Sequence, residues 1–244
     1  MIASDQPNCF PPELLVAVSS RSDGTMLDHS LSDRHDVSVV ANRRAFCALA
    51  GGKYESSVYQ VILYGSDQSY DTIAEVDRPD TTGVCADALY TETPRLGLIL
   101  PVADCVATVV YDPVRRAVGL AHLGRHASVT KLIKKLLEFM IEKGSDPGAL
   151  IVWMAPSVGR KSYRMEYFAH VDDPDWAGFV DRRDDGVYLD LAGFNTHLAQ
   201  TTGVLSENIY RSHIDTARDP NYFSHSQGDV AGRFAVLVAL PSAE

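Results

Sequence analysis

The feature that most constrains the fold is a pair of apolar, β-rich segments joined by an Asp-Pro turn. The segments span residues 102–111 and 117–122. Two such runs around a turn signal predict a β-hairpin. A two-residue turn at Pro113-Val114 would place Cys105 directly opposite His122, with both side chains on the same face of the sheet.

This pairing leaves two interpretations of Cys105 and His122 open. Opposed Cβ atoms lie about 4.5–5.5 Å apart, so a thiol and an imidazole so placed can share a metal ion or act as nucleophile and base. Alternatively, Cys105 packs as a small core residue and His122 is an ordinary strand-end residue. A register change of one residue would send the two side chains to opposite faces, so the first interpretation depends on the turn.

Length and composition predict a globular protein with a sizeable core. The chain has 244 residues, 45% hydrophobic and 22% charged, and we expect one domain over 1–244. The formal charge of -10 argues against a nucleic-acid partner, because such binding depends mainly on Lys and Arg. The longest apolar stretch, 96–111, is interrupted by Pro101 and Asp104, which argues against a membrane span.

The cysteines and the start of the chain indicate a cytoplasmic protein. Four cysteines, at 9, 47, 85 and 105, show no C-x-x-C spacing, which argues against a disulfide framework or a closed structural zinc site. The first 15 residues carry acidic residues and prolines where a signal peptide needs a cationic head and an apolar run. We therefore expect a reducing compartment.

Apolar periodicity predicts an α+β fold, a single domain with mixed β-sheets flanked by helices. Besides the hairpin, strands are expected at 14–20, 59–64, 72–76, 150–155 and 234–240. Helices are expected at 33–49 and 191–200, and after Ser128 as an N-cap, with a stop at Gly144. The helix after Ser128 carries one apolar stripe at helical spacing, formed by Leu132, Ile133, Leu136, Leu137, Met140 and Ile141. Strands and helices do not alternate strictly, which favours α+β over a parallel α/β fold.

Several motifs in chain order resemble those of the laccase-domain proteins, also called multicopper polyphenol oxidoreductases. The central ones resemble the family's A-D-C-x-P, D-P and H-A-G-W-R-G core, and others resemble its D-A-L-x-T-x-x-P, G-P-x-I-G-x-x-x-Y and F-S-Y-R-R … G-R segments. The matching residues are Ala103-Asp104-Cys105, Asp112, Ala121-His122-x-Gly124, Ala86-Asp87-Ala88-Leu89 with Thr91 and Pro94, Pro156-x-x-Gly159 with Tyr163, and Phe223-Ser224 with Gly232-Arg233.

The resemblance implies a metal site that acts on purine nucleosides. Family members hold a metal, usually zinc, through His, Cys and His, and catalyse phosphorolysis and in some cases adenosine deamination. It implies that Cys105 and His122 are two of the ligands, and that zinc, a nucleoside and phosphate are the cofactor and substrates. Tyr70 takes the place of the Q-V-H-G histidine, with Tyr64 as a poorer alternative. His126 or water are other candidates for the third ligand.

The resemblance also implies anion and substrate contacts. The paired arginines of F-S-Y-R-R are Ser226-Gln227 here. Asp87 is expected to orient a ligand or bind substrate, or else to stabilise a turn, and His213 or His225 is expected to line the pocket. The residues expected to bind substrate are Arg125, Arg164, Ser224 and Arg233.

Three functions remain open at this point. The first is a nucleoside-processing enzyme with a metal on Cys105 and His122. The second is a degenerate paralogue that binds a nucleoside-like ligand or a partner without turnover. The third is a metal-free hydrolase with Cys105 as nucleophile and His122 as base.

Overall fold

A computed structural model describes residues 1–242, so the last two positions of the predicted domain lie outside the described residues. The strands are β1 (Leu15–Val18), β2 (Leu27–Asp28), β3 (Ser57–Val61), β4 (Ile73–Glu75), β5 (Asp80–Cys85), β6 (Ala88–Thr91), β7 (Gly97–Val102), β8 (Val106–Asp112), β9 (Ala117–Leu123), β10 (Ile151–Met154), β11 (Arg164–Met165), β12 (Val180–Arg183), β13 (Gly186–Leu189), β14 (Ile209–Arg211) and β15 (Gly232–Ala239). The α-helices are α1 (Val37–Leu49), α2 (Arg125–Val129), α3 (Leu132–Glu142) and α4 (Leu191–Thr201).

The strands form three sheets. The first has the order β1-β15-β7-β3-β5, with β2 also paired to β15, and the second has the order β14-β10-β8-β9-β6-β4. A small third sheet has the order β11-β13-β12. Both large sheets contain parallel and antiparallel pairs, so the predicted α+β fold with mixed sheets is confirmed.

Side-chain alternation along the strands divides the interior into layers. Val109 of β8 and Val236 of β15 belong to one apolar core shared by the two large sheets. Their neighbours face outward from that core: Val110 packs with α3 and α4, and Leu237 packs with α1. The result is a helix–sheet–sheet–helix arrangement with buried strands on both faces.

The central hairpin exists, but its predicted register is wrong. β8 and β9 pair Ala107 with His122 and Asp112 with Ala117, which leaves four residues in the turn instead of two. Asp112 Oδ1 accepts hydrogen bonds from the N–H groups of Val114 and Arg115, at 2.8 and 2.9 Å. The carboxylate thereby stabilises the longer turn. Side chains of a strand alternate between its two faces, so a register difference of two residues leaves each side chain on the predicted face of the sheet.

The helical region after the hairpin is interrupted. Lys131 has a left-handed φ of 59° and separates α2 from α3. Ser128 is therefore not the N-cap of the long helix: it lies inside α2, and its hydroxyl donates to Gly124 O at 2.8 Å. Within residues 1–242 no helix combines the length and apolar character needed to cross a bilayer.

Helix α3 packs through the predicted apolar stripe. Leu132, Ile133, Leu136, Leu137 and Met140 are fully buried. A Cβ atom on Gly119 of β9 would come within 3.0 Å of Leu136 Cδ2, so the glycine allows the helix to lie close to the sheet. The helix therefore holds the outer face of the hairpin.

We expect Leu136→Ala to lower the free energy of unfolding by about 2–5 kcal/mol, because it leaves a cavity between α3 and β9. The exposed Lys134 on the opposite face provides the control, and Lys134→Ala should change stability by about 0.5 kcal/mol or less. Urea denaturation followed by circular dichroism measures both. Equal losses in the two variants would contradict the assigned packing.

Candidate functional site

A cavity of about 540 Å³ lies where the second sheet meets α2 and the start of β15. Its walls come from the end of β7, the connection Ala103-Asp104-Cys105, the end of β9 and the first turn of α2. Arg233 of β15 completes the wall. The volume lies in the range that takes a ligand the size of a nucleoside, about 300–1,000 Å³.

Cys105 and His122 both line this cavity. A Cβ atom on Gly124 would lie 3.0 Å from Cys105 Sγ and 3.1 Å from His122 Cε1. The two side chains therefore converge on one small space, which any residue larger than glycine at position 124 would fill. Neither ring nitrogen of His122 has a hydrogen-bond partner in the part of the chain that the structure describes. The imidazole is thus available to a ligand.

The thiol and the imidazole are both neutral near pH 7. Burial, reinforced by Asp104, raises the pKa of Cys105 to about 12. Burial and the positive charge of Arg233 lower the pKa of His122 to about 4. A Cys–His nucleophile requires a thiolate, so this pair is not preformed for nucleophilic attack.

Asp104 fixes the turn that presents Cys105. It is buried and has a left-handed φ of 72°, a conformation that costs about 1–3 kcal/mol for a residue other than glycine. Its carboxylate accepts hydrogen bonds from Thr216 Oγ1 and from the N–H of Ser226, both at 2.7 Å. These two hydrogen bonds hold the connection in place, and Asp104 itself also lines the cavity.

Two arginines line the cavity without a carboxylate partner among residues 1–242. Arg233 donates through Nη1 to backbone carbonyls, at 2.7 Å to Gly232 O, and its Nε and Nη2 have no acceptor in that part of the chain. Among residues 1–242, the Arg125 guanidinium has hydrogen-bond contacts only with His126 Nε2 at 2.9 Å and Met165 Sδ at 3.8 Å. Both guanidinium groups therefore retain N–H donors for an anion.

Aromatic rings form much of the remaining wall. Tyr70 stacks on His126 with ring centroids 4.5 Å apart and planes 16° apart. Tyr64 lies edge-on to His122 at 6.3 Å. Tyr163 also faces the cavity. Such a wall suits a flat heteroaromatic ring.

The structure does not place Tyr70 as a third metal ligand. Its hydroxyl donates to Gly65 O and accepts from the N–H of Gly65, both at 3.0 Å, and its ring stacks on His126 and not on His122. Of the two candidate tyrosines, Tyr64 is the one that lies against His122. Spacing along the sequence favours Tyr70 because it reports only the length of the loop. The contact between Tyr64 and His122 depends on how that loop folds.

The residues present do not fit a three-ligand zinc centre. Within residues 1–242, no group of three His, Cys, Asp or Glu side chains is close enough to hold a metal ion. Cys105 and His122 supply two converging donors, and the cationic Arg233 lies near both. The sequence also contains Gln60-Val61, which matches the first two letters of Q-V-H-G and places Ile62 at the position of the histidine.

Three of the predicted site residues lie outside the cavity. The carboxylate of Asp87 accepts hydrogen bonds from Thr72 N and Oγ1, which ties together the starts of β6 and β4. Arg164 pairs with Asp185 at 3.5 Å beside a separate cleft. Ser224 is buried, with its hydroxyl 3.2 Å from Ser226 Oγ. Contacts between distant segments decide these positions, and sequence spacing does not report them.

Other residues complete the cavity wall. His225 lines it and His213 does not, while Ser226 lines it at the place of one family arginine. His29, which belongs to no motif in the sequence, also lines it.

Comparisons with known proteins agree on one family. The family model described as multi-copper polyphenol oxidoreductase laccase matches residues 19–241. A purine nucleoside phosphorylase of Mycobacterium tuberculosis is 28% identical over 202 residues, covering 82% of this chain and 78% of that protein. The purine nucleoside phosphorylase YlmD of Bacillus subtilis is 27% identical, covering 85% and 79%.

Solved structures show the same fold. YlmD from Geobacillus stearothermophilus superposes with a TM-score of 0.80 at 23% identity, covering 99% of this chain and 98% of that one. The Bacillus licheniformis protein YfiH superposes with a TM-score of 0.72 at 26% identity, covering 83% and 80%. The family model spans nearly the whole chain, and this protein therefore belongs to the multi-copper polyphenol oxidoreductase laccase family.

Proposed function

We propose that this protein cleaves purine nucleosides by phosphorolysis in the cavity that contains Cys105 and His122. The observation that carries the proposal is Arg233, which faces this cavity with free guanidinium donors. Relatives named purine nucleoside phosphorylase support the substrate class. Both substrates, the nucleoside and phosphate, then meet in one enclosed space.

Arg233 and Arg125 are the groups that bind phosphate in this proposal. A guanidinium with Nε and Nη2 free can hold two oxygens of one anion in a fixed geometry, which an ammonium group cannot do. The whole chain has a formal charge of -10, which repels anions. The two guanidinium groups without carboxylate partners therefore give this cavity a local positive charge that attracts an anion.

The aromatic wall is the part that binds the purine. The stacked Tyr70–His126 pair and Tyr163 offer flat apolar faces. The neutral Cys105 and His122 orient the sugar or the base by hydrogen bonds. Holding phosphate and nucleoside together makes the reaction effectively intramolecular.

Phosphorolysis in this cavity is balanced without a further reactant. A phosphate oxygen forms a bond to C1′ of the ribose as the bond from C1′ to the purine nitrogen breaks. The proton of hydrogen phosphate moves to the purine, and the products are ribose 1-phosphate and the free base. The arginines stabilise the phosphate charge throughout.

We expect phosphorolysis to exceed adenosine deamination. Deamination requires a water molecule activated for attack on C6 of the purine. Among residues 1–242, Asp104 is the one carboxylate that lines the cavity, and it already accepts hydrogen bonds on both oxygens; the same residues supply two metal donors instead of three. Phosphorolysis, as written above, uses phosphate as the nucleophile and needs no activated water molecule.

The neutral states of Cys105 and His122 argue against the metal-free hydrolase. Burial keeps Cys105 as a thiol and His122 as a neutral imidazole, because it raises the pKa of the first and lowers the pKa of the second.

A paralogue that binds a ligand without turnover is the alternative function. The absence of the third ligand and of the paired arginines at Ser226-Gln227 favours it over a fast enzyme.

We expect weak conversion of inosine or adenosine with phosphate to the free base, abolished in Cys105→Ala. Arg233→Lys should lower kcat/KM by about 10²–10³, because a lysine cannot reproduce the two-point contact with phosphate. Chromatographic detection of free hypoxanthine or adenine measures both.

Arg164→Lys is the matched control, since Arg164 lies outside the cavity and is paired with Asp185. Its kcat/KM should stay near that of the unchanged protein. Turnover that survives Cys105→Ala would place the chemistry elsewhere. Nucleoside binding by calorimetry with no turnover at all would favour the paralogue.

We also expect weak zinc binding, and its recovery in Tyr64→His. The Tyr64 ring lies 6.3 Å from the ring of His122, so a histidine there would add a neutral nitrogen donor next to the existing pair. Tyr70→His should raise zinc content less, because that side chain faces His126. Metal content is measured by mass spectrometry after equal zinc exposure, and a gain limited to Tyr70→His would contradict this assignment.

A further inference from the structure

Asp229 is an acidic residue that lies beside Arg233, the arginine proposed to bind phosphate. Arg233 Nη1 donates to the carbonyl oxygen of Asp229 at 3.3 Å, so the guanidinium lies next to this residue. Burial lowers the pKa of Arg233, and the charge of Asp229 is among the negative charges that oppose this shift. The Asp229 carboxylate is therefore within electrostatic range of Arg233, although no ion pair joins the two side chains within residues 1–242.

Arg21 occupies the carboxylate of Asp229 instead. Its Nη1 donates to Asp229 Oδ1 at 3.1 Å, and its Nη2 donates to Asp229 Oδ2 at 2.6 Å. A two-point contact between a guanidinium and a carboxylate is among the strongest pairings of side chains. The hydrogen bonds from Arg21 hold the pKa of Asp229 below its usual range, so the carboxylate is ionised. It also accepts one hydrogen bond from the N–H of Ser224, at 2.9 Å.

Further contacts fix the side chain of Arg21 in this place. Its Nε donates to Pro220 O at 3.1 Å, and its Nη2 also donates to Tyr222 O at 2.7 Å. Its guanidinium carbon lies 4.4 Å from the centre of the Phe223 ring. Arg21 is therefore held against Asp229 by contacts that do not depend on the carboxylate.

An ionised Asp229 without Arg21 would compete with an anion for Arg233. Only the N–H of Ser224 would remain as a hydrogen-bond donor to its carboxylate. An aspartate side chain is short, so its carboxylate stays near its own carbonyl group, which Arg233 contacts. Pairing with Asp229 would use the free donors of Arg233 and neutralise its charge, so a ligand anion would bind less tightly.

We propose that Arg21 is a positioning residue, which holds Asp229 away from Arg233 and so keeps the Arg233 guanidinium open to an anionic substrate. Arg21 does not line the cavity itself, and it acts on the anion through Asp229. The inference rests on the proposed role of Arg233 in phosphate binding.

A double-mutant cycle on Arg21 and Asp229 tests this role. Calorimetric titration of the full chain with inorganic phosphate measures Kd in the unchanged protein, Arg21→Met, Asp229→Asn and the double variant. We expect Arg21→Met to raise Kd about tenfold, the effect of one competing charge-assisted contact. Asp229→Asn alone should change Kd by less than about twofold, because Arg21 already holds this carboxylate. In the Arg21→Met background, Asp229→Asn should restore Kd to near its original value.

A structural role and a direct charge effect give different results in this cycle. If Arg21 only maintains the shape of residues 220–229, the double variant binds phosphate as weakly as Arg21→Met does. If the charge of Arg21 acts on phosphate directly, Asp229→Asn tightens binding by the same factor with and without Arg21. Either result overturns the proposal, as does an unchanged Kd in Arg21→Met.

Arg44→Met is the matched control, because Arg44 is an exposed arginine paired with Glu55. Its Kd for phosphate should equal that of the unchanged protein. Thermal unfolding followed by circular dichroism confirms that each variant is folded.

A crystal structure of Arg21→Met separates this inference from the proposed function. We expect a carboxylate oxygen of Asp229 within about 4 Å of a guanidinium nitrogen of Arg233, the distance of an ion pair. An Asp229 side chain that stays away from Arg233 would overturn the inference alone. If the unchanged protein does not bind phosphate, or if Arg233→Met binds it equally well, the proposed function fails and this inference fails with it.

Discussion

The packing of the β8–β9 hairpin between two apolar layers is the constraint on which the rest of the structure depends. Val109 and Leu120 face the core shared by the two large sheets, while Val110 and Ala121 face α3 and α4. A strand buried on both faces cannot shift by one residue without moving every side chain into the wrong layer. The ends of β8 and β9, and with them Cys105 and His122, are therefore held in position by the core.

The candidate site combines neutral donors with cations that lack carboxylate partners in the described chain. Cys105 and His122 are neutral because burial disfavours their charged forms. Other arginines are used in ion pairs, such as Arg160 with Asp181, whereas Arg125 and Arg233 keep free donors. A half-buried guanidinium without a counter-charge is partly desolvated, so an anionic ligand suits this cavity better than a metal cation does.

The chain retains the family fold and departs from the family pattern at the site. The chain lacks the histidine of the Q-V-H-G motif and has Ser226-Gln227 where the F-S-Y-R-R motif has paired arginines. The stacked Tyr70–His126 pair and Arg125 occupy positions where the family has other residues. Replacement of several groups in one place is consistent with a changed substrate or a changed rate within an unchanged scaffold.

The sequence by itself determined the hairpin, the α+β class, the apolar stripe of α3 and the pair Cys105 and His122. These features follow from local periodicity and motif spacing, and a register error of two residues preserved the facing of the pair because side chains alternate with a period of two. Only the tertiary structure decided that Asp87 and Arg164 lie outside the cavity, that Tyr64 lies against His122, and that Arg233 keeps free donors. Those facts depend on contacts between segments far apart in the chain, which local pattern does not encode.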